Sequence, residues 1–364
     1  KRVSFGVVRM ANISPCVALT KYLLNAAMTH DTEVRVMAYH SRQVLLLRSE
    51  QEHHLDAVLK RKEKAEQQPQ AFSDPIIRKH LDQIQATNVI FILVATPVEE
   101  VGRDHDFDWA IIEPSSYRSF IQLSGRVLRH RKLEHDICEP NIALMQYNLK
   151  GLKNADVAFE KPGFEVNNPF FKLETKNLAL LIEQNQLQIN INATPRIQAA
   201  EPLQSTKKMA DLEHAVMRYY LTNYKDCGPD KLQGWLTETW FLTALPQRFN
   251  VFRQSSANIQ LFAILQDAHF YFGEKDDLGQ YVDRTGFYKI EFYKTTEVEQ
   301  NRLWLNRNYS DILCRLAIDS MLEIEDIDLR ITYLSKRYGE IILPEYDSDK
   351  TLIYSDQFGL IVKT

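Results

Sequence analysis

Strand-like apolar segments alternate with amphipathic stretches through the first 150 residues. The segments at residues 3–10, 33–40 and 88–96 are rich in Val, Ile, Phe, Leu and Met, as in strands covered on both faces. Between them, residues 14–30 and 48–67 carry the apolar spacing of helices. Regular alternation of buried strands and helices predicts a parallel sheet with right-handed crossovers.

The same pattern continues to about residue 150. It predicts a short helix at 74–85, a strand at 108–113, a helix at 116–130 and a strand at 141–148. In the first crossover, Ser14 is predicted as the helix N-cap with Pro15 at the first helical position.

The character of the sequence changes after residue 150. Turn-rich connectors surround a predicted helix at 206–224, and strand patterns rich in aromatic residues follow at 257–266, 268–274 and 286–294, which we expect to be antiparallel. We therefore predict an α/β domain over 1–150, a linker region with a long helix over 151–244, and a small mixed α+β C-terminal domain over 245–364.

Composition narrows the class of protein. The chain is 45% hydrophobic and 25% charged, with a formal net charge of −4, so a surface for nucleic acid would have to be local. Its four cysteines form no CxxC pair, and we predict no metal ligands in this chain. No apolar run is long enough for a membrane span. We expect a cytoplasmic protein. The first residue is not methionine, and we expect an excerpt of a longer polypeptide.

Phosphate-binding chemistry is predicted where strands end. A strand runs into a helix N-terminus at Arg9 and Asn12, and such a terminus presents unpaired backbone N–H groups to an anion. After the second strand, His40, Ser41 and Arg42 offer further donors of the type that contacts phosphates. Turn and cap roles are the alternative for these residues.

Two linked motifs follow the third strand and resemble motifs V and VI of superfamily 2 helicases. The pattern T-x-x-x-E-x-G-x-D is matched by Thr96, Glu100, Gly102 and Asp104. The pattern Q-x-x-G-R-x-x-R is matched by Gln122, Gly125, Arg126 and Arg129. The arginines lie three apart on the predicted helix and would face the same way. Gly125, which costs about 1 kcal/mol within a helix, would give clearance to a partner lobe or nucleotide.

A more specific resemblance covers most of the chain. Segments 9–24, 39–61 and 115–131, and more loosely 301–316, resemble the helicase-nuclease of type I CRISPR interference in its subtype I-F form. The resemblance implies a second RecA-like lobe, a helical linker and a C-terminal domain. Further parts of that family, namely an HD nuclease domain, a first RecA-like lobe and a fused adaptation-type module, are not found in this sequence.

The resemblance also implies roles for individual residues. Gln122, Arg126 and Arg129 would lie on the γ-phosphate side of ATP, with Gly102, Asp104 and Gly125 near the nucleotide. The implied contacts to single-stranded DNA phosphates are Arg9, Asn12, His40, Ser41, Arg42 and Thr96. Arg103 stands where many relatives have an apolar residue.

Half of the implied ATP site is not found in the sequence. There is no G-x-x-x-x-G-K-[ST] loop and no DExx-type carboxylate pair. The first lobe would therefore complete the site for ATP and Mg²⁺. The divalent metal of the nuclease would belong to the HD domain. His-Asp dipeptides such as His105-Asp106 lack the converging ligands of a metal site.

We therefore predict the C-terminal half of an ATP-dependent, 3′-to-5′ DNA helicase-nuclease, with neither ATPase nor nuclease activity of its own. The implied partners are single-stranded DNA and the CRISPR surveillance complex, with the adaptation integrase and phage anti-CRISPR proteins as further candidates. Two alternatives remain: another superfamily 2 helicase lobe for DNA or RNA, and an interaction module that docks one of these partners.

Overall fold

The structure of the 364-residue chain is a computed structural model. It describes residues 1–62, 69–100, 102–131, 139–160, 163–187, 191–223, 227–249, 258–344 and 350–363.

The strands and helices alternate as predicted in the first part of the chain. The strands are β1 (Arg2–Arg9), β2 (Thr32–Tyr39), β3 (Asn88–Ala95), β4 (Trp109–Ile112), β5 (Ile142–Leu144), β6 (Asn258–Gln266), β7 (His269–Lys275), β8 (Tyr281–Asp283), β9 (Ile290–Phe292), β10 (Glu340–Pro344), β11 (Leu352–Ser355) and β12 (Gly359–Val362). The helices are α1 (Ile13–Asn25), α2 (Leu45–Leu59), α3 (Pro75–Gln83), α4 (Tyr117–Ser124), α5 (Leu149–Leu152), α6 (Leu178–Leu181), α7 (Thr194–Ile197), α8 (Met209–Thr222), α9 (Leu232–Thr237), α10 (Leu245–Phe249), α11 (Glu297–Arg302), α12 (Tyr309–Asp319) and α13 (Ile327–Tyr338).

A five-stranded sheet organises the first part, in the order β2-β3-β1-β4-β5. β3 pairs in parallel with both β1 and β2, and Asn88 is in register with Arg2 and with Thr32. The apolar strand positions are buried against α1, through Val17 and Leu24 among others. The predicted α/β class with a parallel sheet is confirmed.

Helix boundaries differ from the predictions in instructive ways. α1 begins at Ile13 with Asn12 as N-cap, so the prediction of Ser14 as N-cap and Pro15 as the first helical residue is wrong. α2 begins at Leu45, and the end of the predicted helix at 48–67 falls partly outside the described residues. α3 matches its prediction, since the Asp74 carboxylate accepts hydrogen bonds from two backbone N–H groups of its first turn.

The predicted helix at 116–130 is wrong in its second half. α4 ends at Ser124, and Gly125 and Arg126 form a turn. Val127 then forms a parallel bridge with Phe107, and the Leu128 N–H donates to the Phe107 carbonyl at 2.9 Å. The backbone N–H of Leu128 is thus used outside a helix. Gly125 consequently carries no helix-interior cost, and Arg126 and Arg129 do not share a helix face.

The chain divides into two compact units. The first unit contains residues 1–111, 125–142 and 257–364, and the second contains residues 112–124 and 143–256. The domain boundaries predicted at 150 and 244 remain a prediction.

Within the first unit, the C-terminal residues share a core with the N-terminal strands. Leu303 and Phe358 are buried with Val36 and Val94, and the Trp304 N–H donates to the Val36 carbonyl at 3.0 Å. A second core joins α2 to the C-terminal sheets through Leu47, Leu261 and other apolar side chains. Residues some 260 positions apart in sequence therefore stabilise one body.

The C-terminal strands form two sheets in the first unit. β6 and β7 are antiparallel as predicted, and they lie in a sheet with the order β10-β6-β7-β8. β9 instead pairs in parallel with β11, in the sheet β12-β11-β9, so its predicted antiparallel pairing is wrong.

The second unit is helical apart from the strand ends that enter it. α8 confirms the helix predicted at 206–224. Its buried Glu213 accepts a hydrogen bond from the Tyr117 N–H at 2.8 Å, at the start of α4, and pairs with Arg196 at 2.7 Å. Among the residues that the structure describes, no helix combines the length and apolar character needed to cross a membrane.

Candidate nucleotide and nucleic-acid site

A pocket of about 430 Å³ opens where the first three parallel strands end. It is lined by residues that follow each of them, including Asn12, Ser41, Arg42 and Thr96. The backbone N–H of Thr96 donates to the Tyr39 carbonyl at 3.0 Å, which fixes the turn after β3 against β2. The carboxyl edge of a parallel sheet is where such folds bind ligands. Four of the six residues predicted to contact phosphates thus share one pocket.

The chemistry of this pocket suits an anion. It includes the first residues of α1, and the Asn12 side chain makes no capping hydrogen bond to the first turn. A helix N-terminus favours negative charge through its dipole and free N–H groups. Burial lowers the pKa of Arg42, which remains a cation at neutral pH.

Arg9 and His40 do not line this pocket. The fully buried Arg9 guanidinium donates from Nε to Glu100 at 2.7 Å. His40 is also fully buried, with Nε2 at 3.0 Å from the Phe358 carbonyl. Burial lowers the pKa of His40 to about 3, so its imidazole is neutral at physiological pH. The structure gives both side chains bracing contacts within the protein.

Asp104 is the centre of an ionic cluster. Its carboxylate accepts hydrogen bonds from Lys62 at 2.6 Å and from His130 Nε2 at 2.8 Å, and it forms an ion pair with Arg129 Nε at 3.1 Å. The hydrogen bond from Lys62, with His130 contributing, lowers the pKa of Asp104 to about 2. The structure therefore brings together two residues of the predicted site, Asp104 and Arg129.

Arg126 is held in a different way. Its side chain is 5% exposed, and its guanidinium donates to the Arg103 carbonyl and to the Glu100 carbonyl, the latter at 2.8 Å. Its Nε has no hydrogen-bond partner among the described residues. Burial lowers the pKa of Arg126, yet it stays charged. The result is an oriented cation with one unused donor.

Gln122, Gly125 and Gly102 complete the predicted set. Gln122 is exposed on α4 in the second unit, whereas Gly125 is exposed in the first. Gly102 has a φ of 73°, in the left-handed region that favours glycine.

Sequence reasoning missed the two carboxylates that flank the buried His105. His105 Nδ1 lies 2.7 Å from the fully buried Glu99, and its Nε2 lies 3.1 Å from Asp56. Only the position of His105 after Asp104 was visible in the sequence, because Asp56 belongs to α2. Within the described ranges, no group of three or more His, Cys, Asp or Glu side chains has a metal-binding arrangement.

Sequence comparison with known proteins identifies the family of this chain. Residues 2–132 match the family model described as CRISPR-associated nuclease/helicase Cas3, C-terminal, and this range contains every predicted site residue. The chain is 34% identical over 351 residues to the CRISPR-associated nuclease/helicase Cas3 subtype I-F/YPEST of Pseudomonas aeruginosa (strain UCBPP-PA14), covering 95% of this chain. The chain belongs to the Cas3 family, as its C-terminal part. The predicted resemblance is confirmed.

A second Cas3 relative, from Pectobacterium atrosepticum, is 38% identical over 265 residues, or 70% of this chain. The chain spans only 31% and 23% of the lengths of these two relatives. Among solved structures, T. fusca Cas3-AMPPNP matches with a TM-score of 0.47 and 11% identity, over 98% of this chain and 38% of that chain.

Proposed function

We propose that this chain is the C-terminal part of an ATP-dependent DNA helicase-nuclease of CRISPR interference. It would supply one wall of an ATP site and part of a track for single-stranded DNA. The Cas3 relatives are named as nuclease/helicases, which supports this activity for a complete polypeptide.

The observation that carries the proposal is the shared pocket of Asn12, Ser41, Arg42 and Thr96. Backbone N–H groups, hydroxyls and a guanidinium are the donors that contact phosphate in protein–DNA complexes. Such contacts position a strand without reading its sequence, as a translocating enzyme requires. In this proposal Arg9 and His40 act through the structure, Arg9 by bracing Glu100 and His40 by holding the turn at Phe358.

The chain's cations fit the phosphates of a nucleotide. The buried Arg126 guanidinium would contribute a fixed positive charge, and Arg129 is 40% exposed beside Asp104. Bound ATP would supply the phosphoryl group whose transfer drives movement. Arg126 and Arg129 would face the γ-phosphate, and the same role for Gln122 stays a prediction. Gly102, Asp104 and Gly125 would lie near the rest of the nucleotide.

Metals and partners follow from the same proposal. The carboxylates for Mg²⁺ and the ligands of the HD nuclease metal would belong to other parts of a complete polypeptide. Its substrate would be single-stranded DNA, moved 3′ to 5′ after recruitment by the CRISPR surveillance complex in the cytoplasm. The adaptation integrase and phage anti-CRISPR proteins remain candidate partners.

Replacing Arg42 by alanine tests the DNA track. Loss of one phosphate contact should weaken binding of single-stranded DNA similarly for all sequences. The slope of log affinity against log salt should fall in magnitude by about 0.7, as for one contact to a single strand. Fluorescence anisotropy across a salt series with the complete polypeptide measures both.

Arg78→Ala is the matched control, because Arg78 is exposed on α3, pairs with Asp82 and does not line the pocket. Its salt slope should equal that of the unmodified protein. An unchanged slope in Arg42→Ala would remove Arg42 from the track.

A further inference from the structure

A second and larger cleft lies in the first unit, outside the helicase motifs. Its volume is about 920 Å³, within the range of ligand-binding pockets. It is formed by α2, α3, the segment after β9, the start of α12 and the end of β11. Its charged and aromatic lining side chains include Lys79, Phe292, Lys294, Arg307, Asp311 and Asp356.

The acidic groups of this cleft are largely engaged. Asp356 accepts hydrogen bonds from the Tyr354 hydroxyl at 2.6 Å and from the Tyr309 N–H at 2.9 Å. Glu50 pairs with Arg315 at 2.8 Å. Asp311 lies in the first turn of α12, where the helix dipole stabilises a carboxylate.

Two lysines, by contrast, carry available charge. Lys79 and Lys294 are exposed at the cleft, and neither has an ion-pair partner among the residues described. A lysine ammonium is a point charge on a flexible stem and binds phosphate readily. The cleft is lined by four basic and three acidic side chains, so its net charge is positive by one.

Arg307 adds a buried cation to the same wall. It is 4% exposed and donates to the Leu47 carbonyl at 3.1 Å, Gln51 Oε1 at 2.7 Å and the Gln357 carbonyl at 2.9 Å. These three acceptors are neutral, and its Nε has no partner among the described residues. The Asp356 carboxylate also interacts electrostatically with Arg307 and partly balances its buried charge. A ligand anion in the cleft would add to that balance.

Phe292 gives the cleft a surface for stacking. Its side chain is 50% exposed, and its ring meets Phe270 and Tyr354 edge to face at centroid distances of 5.6 and 6.1 Å. A ring that is already oriented loses little entropy when a base stacks on it. Cations beside an exposed aromatic ring are the pattern of single-stranded nucleic-acid sites.

One turn connects this cleft with the phosphate pocket. Asp356 and Gln357 line the cleft, and the adjoining Leu360 N–H donates to the Arg42 carbonyl at 2.9 Å. Gly359 between them has a φ of 68°, and a Cβ there would lie 1.9 Å from the Arg42 oxygen. Arg42 lines the first pocket, so the turn at Gly359 borders both surfaces. A DNA strand longer than a single nucleotide would contact both.

We propose that the cleft binds a nucleotide unit of single-stranded DNA. Phe292 stacks on the base, Lys79 and Lys294 contact phosphate, and Arg307 contributes positive potential. This inference rests on the proposed function for the identity of the strand, but it assigns a contact outside the helicase motifs.

The test measures binding of labelled oligothymidylate to the complete polypeptide by fluorescence anisotropy. Phe292→Ala should weaken binding about 5- to 150-fold, the range for loss of one stacked base. Lys79→Ala combined with Lys294→Ala should lower the salt slope by about 1.4, as for two contacts. Phe292→Leu, which keeps apolar packing without the aromatic face, should resemble Phe292→Ala, and Phe287→Ala is the control for an exposed ring outside the cleft.

Two results would overturn the proposal. Unchanged affinity in Phe292→Leu and in the double lysine variant would exclude the cleft from DNA binding. Competition by thymidine monophosphate at equal affinity, sensitive to Phe292→Leu, would mean a site for a free nucleotide and not for a strand. Arg42→Ala separates the two proposals, because Arg42 lines the first pocket and not the cleft. Its effect on DNA binding therefore tests the first pocket alone.

Discussion

Replacing Arg126 by alanine in the complete polypeptide should reduce DNA-stimulated ATP hydrolysis at least about 100-fold, since an arginine finger contributes about 10³- to 10⁵-fold to the rate. The physical reason is loss of a fixed positive charge where negative charge shifts during phosphoryl transfer. The structure adds that this charge is pre-oriented, since the carbonyls of Glu100 and Arg103 hold the guanidinium. Steady-state hydrolysis at saturating single-stranded DNA measures the loss.

Two variants separate chemistry from folding. Arg126→Lys keeps the charge but cannot bridge the two carbonyls, and it should lose most of the activity as well. Arg78→Ala, in the exposed pair with Asp82, should retain full activity. Wild-type turnover by a folded Arg126→Ala protein would disprove the finger role.

Replacing Arg9 by alanine should lower the free energy of unfolding by about 3–5 kcal/mol, because it breaks a buried ion pair by removing one partner. Arg9 is fully buried and Glu100 nearly so, with 2.7 Å between Nε and the carboxylate. Glu100→Ala should cost a similar amount for the converse reason. Thermal unfolding followed by circular dichroism gives both values.

The double variant tests whether the two residues act as a pair. Arg9→Ala with Glu100→Ala should destabilise by clearly less than the sum of the single variants, as residues in contact do. Additive effects would contradict the bracing role. Weak DNA binding with unchanged stability in Arg9→Ala would restore the direct phosphate contact predicted from the sequence.

Much of the first part of the fold could be predicted from local pattern. Strands that are buried on both faces are continuous apolar runs in the sequence. Asp74 is a residue type that favours the N-cap position, and it caps α3. The pocket of Asn12, Ser41, Arg42 and Thr96 could also be anticipated, because parallel strands bring their carboxyl ends to one edge.

What the sequence did not reveal depends on contacts between distant segments. His40 is buried by Phe358, which is 318 residues away, and Arg9 by Glu100, which is 91 residues away. α4 stops at Ser124 because the following backbone bonds to Phe107, an interaction that helix propensity cannot register. The same holds for Arg307, whose partners Leu47 and Gln51 lie on α2.

Asp104 shows which feature of the candidate site could not be predicted from the sequence. The motif predicted a residue near the nucleotide, whereas the structure gives its carboxylate three basic partners, including Arg129. Lys62 precedes Asp104 by more than 40 residues and carries no motif signal. Motif spacing therefore nominated Asp104 as a candidate site residue, and only the fold could supply its ion pairs.

We propose that this chain supplies one wall of an ATP site that another lobe completes. The most direct test is ATP hydrolysis with single-stranded DNA, comparing this chain of 364 residues with the complete polypeptide. A folded chain, verified by cooperative thermal unfolding, should hydrolyse no ATP above background, whereas the complete polypeptide should be active. Hydrolysis by the isolated chain that Arg126→Ala abolishes would show that the chain holds a complete ATP site and needs no second lobe.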